Sequence, residues 1–380
     1  MQKSNRVFGT FCIYFICMAL FCVIRILAEM GTFDGIESPE VRSLVSTLII
    51  QIGIMLVLPT ILCCIFFKKK PIEIIKHNEY KTIGIKAFWV CLALGVLIYL
   101  LNVAISAVSN GIIQSFGYKN YTTAEPSSLS PVELFFFELL LVAILPAICE
   151  EFLHRGVLLQ GIRSIGYKKA ILISGLLFGL IHFSITQTIY ATVIGILLGF
   201  VAIASKSIFP AIIIHFTNNA ISLYLSFAST YGWTGDKTIT YISEALVSSN
   251  PFTTFLACFT FLSVVCAGIV FLIYLLFKLT TLKYIQKEMD AKLRSIKYGV
   301  DKSPIDVKGA KKIVEIVETS YTLNLYTPPI DSPIDMMLPK QPNIYKSQFI
   351  DKVFFYGATL LGLLVTIFTL VWGLVWWILI

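Results

Sequence analysis

The chain carries four histidines, and three of them, His154, His182 and His215, fall within long apolar runs. The same stretch of sequence holds Glu150, Glu151, Arg155, Asn218 and Asn219. A charged side chain at the centre of a membrane helix costs on the order of 2.5–3.5 kcal/mol on insertion scales, so groups of this kind usually face a bundle interior, pair with one another and serve a function. Helical spacing pairs them here. Glu151 and Arg155 are four residues apart and share a face, as do Glu150 and His154, Phe178 and His182, and His215 and Asn219. A carboxylate and histidines converging in a protected cavity can hold and activate water: the carboxylate takes the proton, while a histidine orients the water or binds a metal. Amide hydrolysis also needs donors for the oxyanion, and a His/Asn pair on one helical face can supply them. That is the set a peptide-bond hydrolase needs. Neither a GxSxG nucleophile motif nor an HExxH zinc helix occurs.

Singly, each residue also has a plainer reading. Glu151 and Arg155 could be an ion pair at a helix end, His182 a hydrogen-bonded core histidine, and Asn219 a polar link between helices. His154 reads as a surface or supporting residue, and Phe178 as packing beneath His182.

The elements that must position these groups follow from composition. Of the 380 residues, 57% are hydrophobic and 14% charged, with a mean hydropathy of +0.83. Soluble domains carry about 25% charged residues, so soluble, disordered and free nucleic-acid-binding classes are excluded. The expected fold is all-α, a polytopic transmembrane helical bundle. Runs long enough to cross about 30 Å of hydrocarbon lie near 7–28, 43–67, 84–107, 131–152, 170–186, 188–205, 208–228, 252–277 and 353–379, about nine spans in all. They are continuously apolar and lack the ten-residue alternation of a barrel.

Alternate connections are basic. Lys3 and Arg6, then Lys68, Lys69, Lys70, Lys76, Lys81 and Lys86, then Arg163, Lys168 and Lys169, then Lys206, lie on one side. The intervening loops hold little beyond Arg42, Lys119 and Lys237. By the positive-inside bias the N-terminus is cytosolic and the C-terminus outside, with the first span a retained signal anchor. The net charge of +8 then reflects this asymmetry and contact with an anionic inner leaflet, with no nucleic-acid partner. All nine cysteines fall within or at the end of spans and read as small apolar fillers.

The chain divides into three N-terminal spans (1–130), a core of four spans (131–228), an outer loop and eighth span (229–279), a cytosolic basic and Pro-containing insert (280–352) and a C-terminal span (353–380). In the insert, 282–297 has a basic amphipathic pattern, and Pro-Ile-Asp occurs three times, at 304–306, 329–331 and 333–335. A turn-forming linker accounts for it. Asn120-Tyr121-Thr122 is a legal sequon on the outer side. Counting about 1.5 Å per residue puts His182 about 20 Å, Glu150 about 16 Å and His215 about 10 Å from the inner boundary. Those depths favour a cavity in the cytosolic half, open to water from that side. Gly175-x-x-x-Gly179 and Gly195-x-x-x-Gly199 put small residues on one face of the fifth and sixth spans, which allows close packing of an antiparallel hairpin.

Three motifs, in order, carry a resemblance. Glu150-Glu151-Phe152-Leu153-His154-Arg155 is similar to an EExxxR motif, Phe178-Gly179-Leu180-Ile181-His182 to FxxxH, and His215-Phe216-Thr217-Asn218-Asn219 to HxxxN. On successive membrane helices this trio resembles the CPBP family of CAAX-type prenyl-protein endopeptidases and bacteriocin-processing or immunity enzymes, over about 131–228. The resemblance implies an intramembrane endopeptidase acting on a membrane-associated substrate, prenylated or a peptide precursor, that enters from the cytosolic side. Glu150 would be the general base, Glu151 its supporting carboxylate paired with Arg155, His182 a water ligand, and His215 with Asn219 the oxyanion donors. Zinc is an open option, with Glu150, His182 and His215 as its ligands; a metal-independent mechanism is favoured. A bacterial plasma membrane is the expected location. The alternative is a non-catalytic membrane binding or immunity factor on the same fold. A transporter fits less well, because no inverted repeat or paired broken helices are visible.

Overall fold

The computed structural model describes residues 3–71, 73, 82–119, 127–235, 237–246, 250–282 and 349–379. Every regular element among them is helical, as the apolar runs require in a medium where each backbone group must be paired within its own segment. The elements are α1 (Lys3–Glu29), α2 (Pro39–Phe67), α3 (Ile85–Ser115), α4 (Pro131–Ile165), α5 (Tyr167–Leu180), α6 (Ile185–Ser205), α7 (Phe209–Tyr231), the short α8 (Thr238–Leu246), α9 (Pro251–Phe277) and α10 (Phe349–Leu379). The basic pattern of the insert and its Pro-Ile-Asp repeats fall on 283–348, and the sequon on 120–126; both lie outside the described residues.

Eight of the described helices, not nine, are long and apolar enough to cross a membrane. The run at 170–186 is the exception. Its helix has 14 residues, about 21 Å at 1.5 Å each, and stops at Leu180. The chain then turns with Phe183 in the left-handed region at φ 50°. Apolar Ile181 and Phe183 carry the hydropathy signal through that turn, which is why composition alone overstated the span. The fourth run errs the other way: α4 continues past 152 to Ile165.

Helix starts are set by local chemistry. The Ser38 hydroxyl accepts from the Val41 N–H at 3.3 Å, and Asn250 Oδ1 accepts from the Phe252 N–H at 2.9 Å. Ser130 and Glu133 form a reciprocal capping box. Each cap satisfies a donor that the first helical turn leaves open and contributes about 1 kcal/mol. Within α2 and α4 the pitch widens to i→i+5 bonding just before a proline: Leu48–Val57 precedes Pro59, and Leu139–Ile144 precedes Pro146. A proline has no N–H for the carbonyl four residues back, and the wider turns let the helix continue around it.

The α5–α6 hairpin packs by glycine. A Cβ on Gly179 would lie 2.6 Å from Thr188 O, and one on Gly195 would lie 3.0 Å from Gly175 Cα. Only Gly fits at such an approach. Gly199 is looser, with its nearest neighbour at 3.5 Å. On the other flank α10 returns to α1, where Phe354 lies 5.3 Å from Phe8 and Phe355 lies 5.4 Å from Phe11, ring centre to ring centre.

Candidate active site

α4 supplies four polar side chains in a row and a half of turns, and all four are buried. Glu151 and Arg155 lie one turn apart, so Arg155 Nη1 donates to Glu151 Oε1 at 2.7 Å. The same oxygen accepts from His215 Nδ1 on α7 at 2.9 Å. Arg155 Nη2 donates to the Gly195 carbonyl on α6 at 2.8 Å, and its guanidinium lies 4.5 Å from the centre of the Phe178 ring on α5. One ion pair therefore ties four helices together. The Gly175 and Gly195 contact brings α6 close to α5, which also puts the Gly195 carbonyl within reach of Arg155.

Phe178 is the hub of the histidines. His154, His182 and His215 each meet its ring edge-to-face, with centroids at 4.9, 5.4 and 5.6 Å. This is more than packing beneath one histidine, because the phenyl ring sets the orientation of three imidazoles and one guanidinium. His154 is fully buried, which corrects the surface reading. Its Nδ1 lies 2.8 Å from Glu150 O and its Nε2 lies 3.1 Å from the Tyr14 hydroxyl, which donates to Leu177 O at 2.9 Å. A carbonyl only accepts, so Nδ1 carries the proton toward Glu150 O.

Glu150 is differently placed. Its Oε1 accepts from Gln51 Nε2 on α2 at 3.0 Å. Its Oε2 and the Gln51 Oε1 are buried and have no hydrogen-bond partner among the described residues. Both orphans are acceptors, and such a pair calls for a molecule with protons to give. His182 lies two residues beyond the end of α5, where its N–H closes a tight turn to Gly179 O at 3.3 Å. It is partly buried, where the other two histidines of the cluster are buried.

Asn219 is brought to the helix wall. Its Nδ2 donates to Val142 O at 3.0 Å, the carbonyl that Pro146 cannot serve, and its Oδ1 accepts from Asn218 Nδ2 at 3.0 Å. Asn102 Nδ2 extends the chain to Asn218 Oδ1 at 3.4 Å. The structure thus gathers Glu151, Arg155 and His215 into one bonded group, sets Glu150 beside it, and holds His182 across the Phe178 ring.

Three participants were missed from sequence: Gln51, Tyr14 and Asn102. Gln51 is the one amide in Leu48–Phe67, and the cost of burying it unpaired was the available signal. As to metal, no three His, Cys, Asp or Glu side chains among the described residues are grouped so as to hold an ion. The set Glu150, His182 and His215 does not converge as a ligand triad, and no step below is routed through a metal.

Fold and site together define an integral membrane protein of many helices, with buried carboxylates and histidines on the central ones. Residues 132–221 match the family described as Type II CAAX prenyl endopeptidase Rce1-like. The match spans less than half of the chain and contains all six predicted site residues; it bears out the resemblance carried by the three motifs and supports a protease. No curated protein and no solved structure matches the chain.

Proposed function

We propose that the protein is an intramembrane endopeptidase in which Glu150 activates water against a peptide bond. The observation that carries this reading is a buried carboxylate with no ion-pair partner among the described residues, unlike Glu151, whose Oε2 is also orphaned but whose Oε1 is held by Arg155 and His215. Glu150 has one oxygen held by Gln51 and the other unpartnered, beside a second orphaned acceptor. A water donating to both would be fixed and polarised. Glu150 takes one proton as the water oxygen bonds to the carbonyl carbon, giving a tetrahedral oxyanion. The C–N bond then breaks as Glu150 returns the proton to the leaving amine, so the products are a carboxylate and an amine.

His215 Nδ1 donates a hydrogen bond to Glu151 Oε1, which fixes the ring so that a protonated Nε2 donates to the oxyanion. Arg155 pairs with Glu151, while Glu150 has no such partner among the described residues and is the carboxylate that takes the proton. His182, partly buried and held by Phe178, orients the water or the substrate carbonyl. We assign Asn219 to holding α7 against α4, since its Nδ2 donates to Val142 O and its Oδ1 accepts from Asn218. The basic connections fit a bacterial plasma membrane.

The test compares new peptide termini in membranes holding the wild type or Glu150→Gln at equal abundance. Termini that appear only with wild type are expected. Identical termini in both would leave the motif residues as scaffolding and return the binding-factor reading.

A further inference from the structure

The helices are packed along one half of their length and splayed along the other, and the split falls at the site. In α4 every residue of 151–162 is buried and none of 131–140 is. In α2 none of 39–50 is buried, and burial begins at Gln51. In α6 all of 201–205 are buried and none of 185–190; in α7 none of 219–226 is. α1 buries most of 7–18 and only Cys22 beyond. The packed ends are those beside Lys68, Lys69, Arg163, Lys168, Lys169 and Lys206, the inner side by the charge bias. Lipid contact would expose one face of each helix. An unbroken stretch without a buried residue, such as 131–140, covers nearly three turns at 3.6 residues each, so no face of it is packed as closely as 151–162, although Phe135 keeps ring contacts with Tyr224, Phe227 and Trp233.

The two routes to Glu150 differ in chemistry as well. Toward the inner face lie Leu153, Leu158, Leu159 and Ile162, each at 0% exposure. Toward the outer face, α5 has stopped short and the chain continues from His182 through Ser184, Thr186, Gln187 and Thr188, none of them buried. Irregular, polar backbone at membrane depth is tolerated only inside protein or along a water-filled cavity. Facing outward on α3 is a second polar row at four-residue spacing: Asn102, Ser106 and Asn110. Ser106 Oγ donates to Asn102 Oδ1 at 3.0 Å, and Asn110 Oδ1 has no partner among the described residues.

We propose that water and substrate reach Glu150 through a crevice open to the outer face. The substrate would then be a membrane-anchored or exported peptide whose scissile bond lies in the outer half of the membrane, instead of the cytosolic tail of a prenylated protein. The cleavage rests on the endopeptidase reading above; the sidedness of the crevice does not.

The test uses the full chain in intact cells and a membrane-impermeant maleimide, with wild-type labelling of the native cysteines as the background. Ser106→Cys and Thr186→Cys report the crevice, and Lys169→Cys reports the inner surface. The expected result is labelling of the first two several-fold above background without permeabilisation, while Lys169→Cys labels only after it. Crevice positions that label only after permeabilisation, or not even then, overturn the proposal, as does Lys169→Cys labelling from outside. In parallel, wild-type-dependent peptide termini are mapped onto the topology of the proteins they come from. Outer-half positions are expected, and cytosolic ones overturn the outer entry while leaving proteolysis standing. If no such termini exist, the endopeptidase reading falls, and the labelling still decides the side.

Discussion

Two carboxylates one residue apart sit in opposite surroundings. The Glu151 side is charge-paired: Arg155 and His215 share its Oε1, Arg155 reaches the Gly195 carbonyl, and the guanidinium rests on Phe178, while Glu151 Oε2 and Arg155 Nε have no hydrogen-bond partner among the described residues. The Glu150 side is under-satisfied, with one bond from Gln51 and two orphaned acceptors. A buried charge pair is costly to desolvate and costlier to break, so the first arrangement holds helices in place. A buried carboxylate with a spare oxygen and no cation beside it is a poor device for holding anything, and a good one for taking a proton. Adjacent residues on a helix point about 100° apart, which lets one turn of α4 serve a structural centre and a reactive one.

Breaking the ion-paired side has the largest expected effect. Arg155→Ala leaves Glu151 at zero exposure without its guanidinium and with His215 as its one remaining partner among the described residues, a loss of about 3–5 kcal/mol, and folded protein in the membrane should fall to little or none by size-exclusion of solubilised material. Glu150→Gln should do the reverse. Removing a general base costs about 10²–10⁴ in rate, while the introduced amide can donate to the orphaned Gln51 Oε1 and leave thermal stability equal or slightly higher. Gln51→Leu sharpens the contrast, since it frees both Glu150 oxygens. It should lower the yield of wild-type-dependent termini while abundance holds, a split that a purely structural role for Gln51 would not give. Asn219→Ala is the smallest change. It strands the Val142 carbonyl and should cost about 1–3 kcal/mol of stability, read as a lower melting temperature with per-molecule cleavage retained.

What was legible in sequence divides along the same line. Charged and imidazole groups in apolar runs are expensive enough that their positions announce themselves, and the i,i+4 pairing of Glu151 with Arg155 followed from helix geometry alone, while Phe178 meets His182 although the latter lies in the turn beyond α5. The helical bundle followed from the apolar runs. The short α5 did not, because Ile181 and Phe183 are as apolar in a turn as in a helix and no Gly or Pro follows Leu180 to mark the stop. The role of Asn219 was hidden because it depends on Pro146, 73 positions away in sequence, leaving a carbonyl open. Depth counted along each helix placed the site nearer the inner face, but which way it opens depends on where neighbouring helices lose contact, and that is a property of packing between spans.

The central claim is that Glu150 reacts and Glu151 holds. Its most direct test sets Glu150→Gln and Glu151→Gln beside wild type and measures two things for each: folded abundance in the membrane and peptide termini absent from cells lacking the protein. The account predicts wild-type abundance with no such termini for Glu150→Gln, and reduced abundance for Glu151→Gln. Termini that persist at full yield with Glu150→Gln would contradict it.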